Sequence, residues 1–317
     1  MEPSKPLAVF LLGPTACGKT DLAVKWVIDS RATVCPFEII SVDSAMVYRG
    51  LDIGTGKPTP ETLAIAPHHL INIRAPGESY SVAEFRTDAL RIMAEITSRG
   101  NVPLLVGGTM LYVRALQQGL SPLPSAQPRI RERLSEEAQS LGWQVMHQRL
   151  ATIDPISAVR IHPNDPQRIQ RALEIYEITG HSMTDLCADV SEQGMGGIQA
   201  LETQYTVQIF FLGKEALEFT RRQRLHDQIA IRFEEMLAQG FIEEVRCLLE
   251  KLQGTPEAQD YKNLPAMRSV GYRQICQYLE GEYSYDEMVY RAIAATRQLA
   301  KRQCTWLRGL TSVHCLL

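Results

Sequence analysis

The chain has 317 residues, 45% of them apolar and 22% charged, with a formal net charge of −3. These proportions belong to an ordinary globular protein able to bury one large core or two smaller ones, and they exclude a disordered or collagen-like chain. With no overall positive charge to attract a polyanion, any nucleic-acid surface has to be a local basic patch.

In chain order, "MEPSKPLAVFLLGPTACGKT" shows neither a charged leader nor an apolar stretch ending in a cleavage site, and no later segment is long and apolar enough to span a bilayer, so a cytoplasmic protein is expected. The apolar run "PLAVFLLG" predicts a buried strand, and "TDLAVKWVIDS" repeats apolar residues at helical spacing. Between them lie Gly13, Pro14, Thr15, Ala16, Cys17, Gly18, Lys19 and Thr20, the G-x-x-x-x-G-K-[ST] pattern of a phosphate loop in its strand-to-helix setting. There the backbone amides and the positive helix end surround anionic oxygens, Lys19 neutralises charge and Thr20 can ligate Mg2+. A second strand, "FEIISVD", ends in Asp43, which its position alone leaves open as an indirect magnesium holder, a helix cap or a catalytic base. A third, "VPLLVGGTMLYVRALQQG", turns through two glycines into a helix. Its Thr109 is either the cap of that helix or a substrate contact.

Strands alternating with helices predict an α/β fold, a P-loop-containing parallel sheet flanked by helices, with ligands gathered at the carboxyl ends of the strands. From "LSPLPSAQP" onward the pattern becomes charged and amphipathic, in "RIRERLSEEAQSLGWQVMHQRLATI" and "PQRIQRALEIYEITG", before the link "SEQGMGGIQALETQ". This reads as a helical insertion domain at 122–198, inside a discontinuous core of 1–121 and 199–317. A further strand, "TVQIFFLG", and helical segments around 217–252, 264–280 and 285–308 complete the core. The last of these carries Arg297, Lys301, Arg302 and Arg308 with few acids between them, a strip suited to a nucleic-acid backbone. The seven cysteines are scattered without a C-x-x-C pair, and the histidines, including the adjacent His68 and His69, lack metal-ligand spacing.

The segments "GPTACGKT", "ISVDSAMVYRGLDIGTGKP", "LLVGGTMLYVRAL", "PNDPQRIQRALEIYEITG", "MRSVGYRQ" and "YDEMVYRAIAATRQLAKRQCTWLR", in this order along the chain, closely resemble those of the bacterial tRNA dimethylallyltransferases. The phosphate loop alone is equally compatible with a small-molecule kinase or an enzyme prenylating free adenine nucleotides. The resemblance implies transfer of a dimethylallyl group from dimethylallyl pyrophosphate to N6 of adenosine 37, in the anticodon stem-loop of tRNAs reading codons that begin with U. It implies Asp43 as the base, Thr109 beside the reacting amine, Lys19 and Arg232 on pyrophosphate, and Mg2+ on Thr20. The RNA-facing residues it implies are Asp43, Ser44, Ala45, Met46 and Thr109, then Arg131 with Gln167, Arg168, Ile169, Gln170 and Arg171 in the insert, and Met267, Arg268, Ser269, Val270, Gly271 and Tyr272. The rings or guanidinium planes of Tyr272 and Arg268 suit unstacked bases, and the target nucleotide has to flip out of its stack to reach the rim. Two positions depart from the family pattern: Met46 stands where many relatives carry Gln, and Gln228 replaces the middle arginine of a segment that begins at Arg222 and ends at Arg232. A monomer is expected.

Overall fold

Ala8 to Leu12 are all buried because the strand they form is covered on both faces, which an apolar run without polar alternation requires. The computed structural model describes residues 5–121, 123–192, 201–213, 222–253, 256–310 and 313–316. Six strands form one all-parallel sheet: β1 (Leu7–Leu12), β2 (Phe37–Val42), β3 (His68–His69), β4 (Val102–Gly107), β5 (Thr206–Leu212) and β6 (Val313–Leu316), in the spatial order β3-β2-β4-β1-β5-β6. Successive side chains of β1 serve opposite cores. Ala8, Phe10 and Leu12 pack with residues of α3 (Val82–Ser98) and α4 (Met110–Gln118), while Val9 and Leu11 pack with Ala23 and Val27 of α1 (Lys19–Ser30). The short α2 (Pro60–Ile65) precedes β3.

The chain leaves β1 toward β2 and β3, returns to insert β4, and places β5 and β6 on the other side, so strand order reverses at β1. Ligands of such sheets bind at that reversal, beyond the carboxyl ends of the strands. At the opposite end of β2, Glu38 accepts from Arg99 (2.7 Å), Asn101 (2.6 Å) and His69 (3.2 Å). Burial pushes its pKa up, but these partners prevail and hold it at about 2. His69 is thus a structural partner of β2, and His68 bonds the Ala66 carbonyl.

Contacts divide the chain into two compact units, Met1–Gln117 with Leu201–Leu317, and Gln118–Ala200. The second unit holds α5 (Pro128–Leu141), α6 (Trp143–Ile153), α7 (Pro155–Arg160), α8 (Pro166–Thr179) and α9 (Met183–Glu192) around Leu134, Leu150, Ile169 and Leu173. Proline at the first helical position and the aspartate caps Asp154 and Asp165 start α7 and α8. Inside this unit the fully buried Glu174 accepts from the Gln127 amide (2.8 Å), Arg131 (3.0 and 3.1 Å) and Arg171 (2.6 Å).

In the first unit, α10 (Arg222–Ala238), α11 (Phe241–Leu252), α12 (Tyr272–Leu279) and α13 (Tyr285–Leu307) build a separate core on Phe233, Phe241, Tyr272 and Met288. The expected segment 217–252 is two helices where described, broken at Gly240, whose φ of 97° a side chain rarely adopts. Residues 217–221 and most of the link "SEQGMGGIQALETQ" lie outside the described residues. The segment expected from 264 becomes an α-helix only at Tyr272.

Candidate active site

Leu12 pairs with Gly107 and Gly107 with Val42, so Gly13, Gly108 and Asp43 emerge from adjacent strand ends onto one rim. Gly13 is confined there, since a Cβ would collide with the Leu212 carbonyl oxygen and Cys17 Sγ. The loop then curls through two residues with positive φ, Ala16 (63°) and Gly18 (82°), and delivers Lys19 and Thr20 into the first turn of α1. Gly18 supplies no side-chain cap to that helix, which leaves the terminal amides of α1 to an anion. Lys19 Nζ donates to the Pro14 carbonyl (2.7 Å) and stands 3.7 Å from Cys17 Sγ, folded over the loop it serves.

Asp43 closes a tight turn: its Oδ1 accepts from the amides of Ala45 (2.8 Å) and Met46 (3.1 Å). Its Oδ2 has no hydrogen bond among the described residues and its side chain is half-buried. Thr109 Oγ1 accepts from the Ser44 amide (3.1 Å), so its hydroxyl braces the Asp43 turn rather than capping its own helix, while its amide donates to the Val42 carbonyl. Met46 Sδ lies 3.9 Å from Ser41 Oγ, a weak contact beneath the same turn.

Arg232 reaches the loop from α10. Its Nη1 is 3.5 Å from Thr15 Oγ1, and its guanidinium fills the space a Cβ on Gly56 would need. Burial pushes its pKa down, opposed by the nearby carboxylates of Asp43 and Asp21. One turn earlier Gln228 is exposed, whereas Leu225 and Ile229 are buried against Ala300 and Cys304. The side chain of Arg222 lies outside the described residues.

The phosphate-loop residues, Asp43 to Met46, Thr109 and Arg232 thus gather around one rim, but the remaining expected RNA contacts divide by burial. Ile169, Met267 and Tyr272 are interior, at no more than 1% exposure, and correct the expectation that they face RNA. Helical spacing turns Ile169 away from its polar neighbours into the core of its unit. Tyr272 packs edge-on against Phe241, and its hydroxyl donates to Glu244 (2.5 Å), so no free ring face remains for a base. Gln167 and Arg168 are exposed at the start of α8, Gln170 bonds the Arg131 carbonyl and Ser135, and Arg131 and Arg171 hold Glu174. Arg268 is exposed beside Asn263, Ser269 and Val270 are half-buried, and Gly271 turns with a φ of 91°. On α13, Lys301, Arg302, Gln298, Thr305 and Trp306 line a surface groove of about 320 Å³. Arg297 instead turns inward, 3.5 Å from the His226 carbonyl, and its Nε is buried without a partner among the described residues.

Two anchors of the rim carry no recognisable motif. Glu244 accepts from the amides of Asp52 (3.1 Å), Ile53 (2.7 Å) and Gly54 (3.2 Å), which holds the loop that presses Gly56 onto Arg232. Gln303 bonds both Thr15 and Gly108. A glutamate or a glutamine on an amphipathic helix is indistinguishable in sequence from a solvated one, so only the register of the fold reveals them.

The sheet order and this rim place the molecule among P-loop enzymes that act on phosphorylated substrates. More narrowly, the chain belongs to the IPP transferase family, whose model matches residues 46–310. That match begins after the phosphate loop and Asp43, and so stands independently of both. The chain is similar to the tRNA isopentenylpyrophosphate transferase of Bacillus halodurans, at 34% identity and a TM-score of 0.63 over 98% of this chain and 90% of that one. The corresponding enzyme of Staphylococcus epidermidis is 30% identical, with a TM-score of 0.63 over 98% and 93% of the two chains. A eukaryotic dimethylallyltransferase acting on tRNA shares the fold, with a TM-score of 0.73 at 24% identity over 98% of this chain and 73% of that one.

Proposed function

We propose that the chain is a tRNA prenyltransferase that moves a dimethylallyl group from dimethylallyl pyrophosphate to N6 of adenosine 37, in the anticodon stem-loop of tRNAs reading codons that begin with U. The observation that carries this reading is the placement of Asp43, one carboxylate oxygen without a hydrogen bond among the described residues, on the same rim as a phosphate loop faced by Arg232, in a member of the IPP transferase family. An adenine amino group is a poor nucleophile because its lone pair is delocalised into the ring, so a base has to take its proton as the bond forms. In the reaction the C1–O bond of the donor breaks, its electron pair leaves with pyrophosphate, the N6–C1 bond forms, and the N6 proton passes to Asp43 Oδ2. Lys19, Arg232 and the amides of Gly13 to Thr20 bind the departing pyrophosphate, where charge accumulates, except that Pro14 has no N–H and the Thr15 amide is bonded to Gln303. Thr109 orients the reacting amine from the far side of the Asp43 turn.

Thr20 presents a hydroxyl in the first turn of α1, beside the phosphate loop, a donor set that suits Mg2+, since this ion is held largely by substrate phosphates and few protein oxygens. Bound there, it would neutralise the leaving group. The exposed residues Ser44, Gln167, Arg168 and Arg268 are free to meet RNA, with Ala45, Met46, Arg131, Gln170, Arg171, Ser269, Val270 and Gly271 as neighbours. No helix among the described residues is long and apolar enough to cross a membrane. We place the protein in the cytoplasm, acting as a monomer.

Incubation with Mg2+, dimethylallyl pyrophosphate and an anticodon stem-loop RNA bearing adenosine 37, with AMP and ATP as rival substrates, tests this reading. The expected result is N6-dimethylallyladenosine in the RNA. Prenylation of AMP but not of RNA, or phosphoryl transfer from ATP, would overturn it.

A further inference from the structure

The loop that meets the donor and the turn that meets the acceptor come from different strands, and Gln303 joins them. From the last third of α13 its Oε1 accepts from the Thr15 amide (2.9 Å) and its Nε2 donates to the Gly108 carbonyl (2.9 Å). An amide N–H can only donate and a carbonyl can only accept, so these partners fix which end of the side chain is oxygen and which is nitrogen. They also fix the residue type. Glutamate would set a second acceptor against the Gly108 carbonyl, lysine and arginine have nothing to offer the Thr15 amide, and a methionine would fill the space without either bond. Gly108 is shaped to the same contact, because a Cβ there would overlap Gln303 Nε2.

Each partner leads directly to chemistry. The Thr15 hydroxyl is the contact of Arg232, and Thr109, next to Gly108, holds the Ser44 amide beside Asp43. We propose that Gln303 is a positioning residue, touching neither substrate, that sets the spacing between the pyrophosphate loop and the Asp43–Thr109 turn and thereby the approach of N6 to the donor carbon. This rests on the transferase reading above.

The test separates single-turnover transfer from donor affinity and RNA affinity. Gln303→Ala should slow transfer by about 10²-fold, the scale of a reacting group misplaced by about an ångström, while RNA affinity stays at the wild-type value. Gln303→Met, which restores the bulk, and Gln303→Glu, which keeps length and the Thr15 bond, should not rescue it. The glutamate variant also serves as the test if truncation loosens α13. Gly108→Ala should slow transfer in the wild-type background and cost less in Gln303→Ala, where only the 3.2 Å approach of the new Cβ to the Gly13 carbonyl oxygen remains. A near-normal rate for Gln303→Met or Gln303→Glu, additive losses in the double variant, or lost RNA affinity with transfer intact would overturn the proposal. If the unaltered protein transfers nothing to RNA, the transferase reading fails instead, so the two failures are distinguishable.

Discussion

Asp43 divides its carboxylate between two tasks. Oδ1 is bonded by the Ala45 and Met46 amides and shapes the turn, while Oδ2, without a hydrogen bond among the described residues, is the atom to which we assign the proton. Asparagine at this position keeps an oxygen for the two amides but cannot act as a base. Asp43→Asn should therefore slow transfer by about 10²-fold or more, the scale of a lost general base, and Asp43→Ala by at least as much, with RNA affinity retained in both. A single-turnover rate near wild type in Asp43→Asn would remove Asp43 from the proton transfer. Tyr272 teaches the opposite lesson at the same scale. A segment carried over whole from a family includes residues that hold the segment together, and only burial distinguishes Tyr272, bonded to Glu244, from the exposed Arg268 a few residues before it.

At the scale of elements, α8 is tied to the chain entering α5 through one buried carboxylate. Burial pushes the pKa of Glu174 up, but its bonds from Arg131, Arg171 and the Gln127 amide prevail and leave it below the ordinary carboxylate range. A group lowered on folding contributes its stability above its unfolded value, about 4.3 for glutamate, and that contribution is lost as the pH falls through the folded value. Glu174→Gln should therefore destabilise the protein by about 1–3 kcal/mol at neutral pH, the range for a charged hydrogen-bonded group whose partners are partly exposed. The gap to wild type should shrink in acid below about pH 4, as thermal unfolding across pH would show. A difference that stays constant into acid would mean the carboxylate charge contributes nothing.

The elements also show what could be read from sequence and what could not. β1, β2, β4 and β5 are legible as apolar runs because each is buried on one face or both, and the loop, Asp43 and Thr109 are legible because they close those runs. β3 is two histidines and β6 four residues, "VHCL", both defined by their pairing partners rather than by their own pattern. Gly142 and Gly240, each at a positive φ, divide what read as continuous helical stretches. The anchors Glu244 and Gln303 were not legible, since their function depends on backbone groups about 190 and 195 to 288 residues away in the chain.

At the scale of the whole molecule, a net charge of −3 means that RNA has to be met by local groups. The exposed Lys301 and Arg302 beside Trp306 are one candidate for such a surface, and Gln167 and Arg168 at the start of α8 are another within the second unit. The sheet, whose strand order reverses at β1, sets the rim on which we propose that anions collect, and the turn after β2 holds the carboxylate that we propose takes the proton. Nucleoside analysis of tRNA from cells with and without the gene tests whether phosphates here depart with a leaving group and are never transferred. N6-dimethylallyladenosine and its derivatives should disappear from tRNA when the gene is deleted and return with the intact gene but not with the Asp43→Asn variant. Persistence of the modified nucleoside at normal levels in the deletion would contradict it.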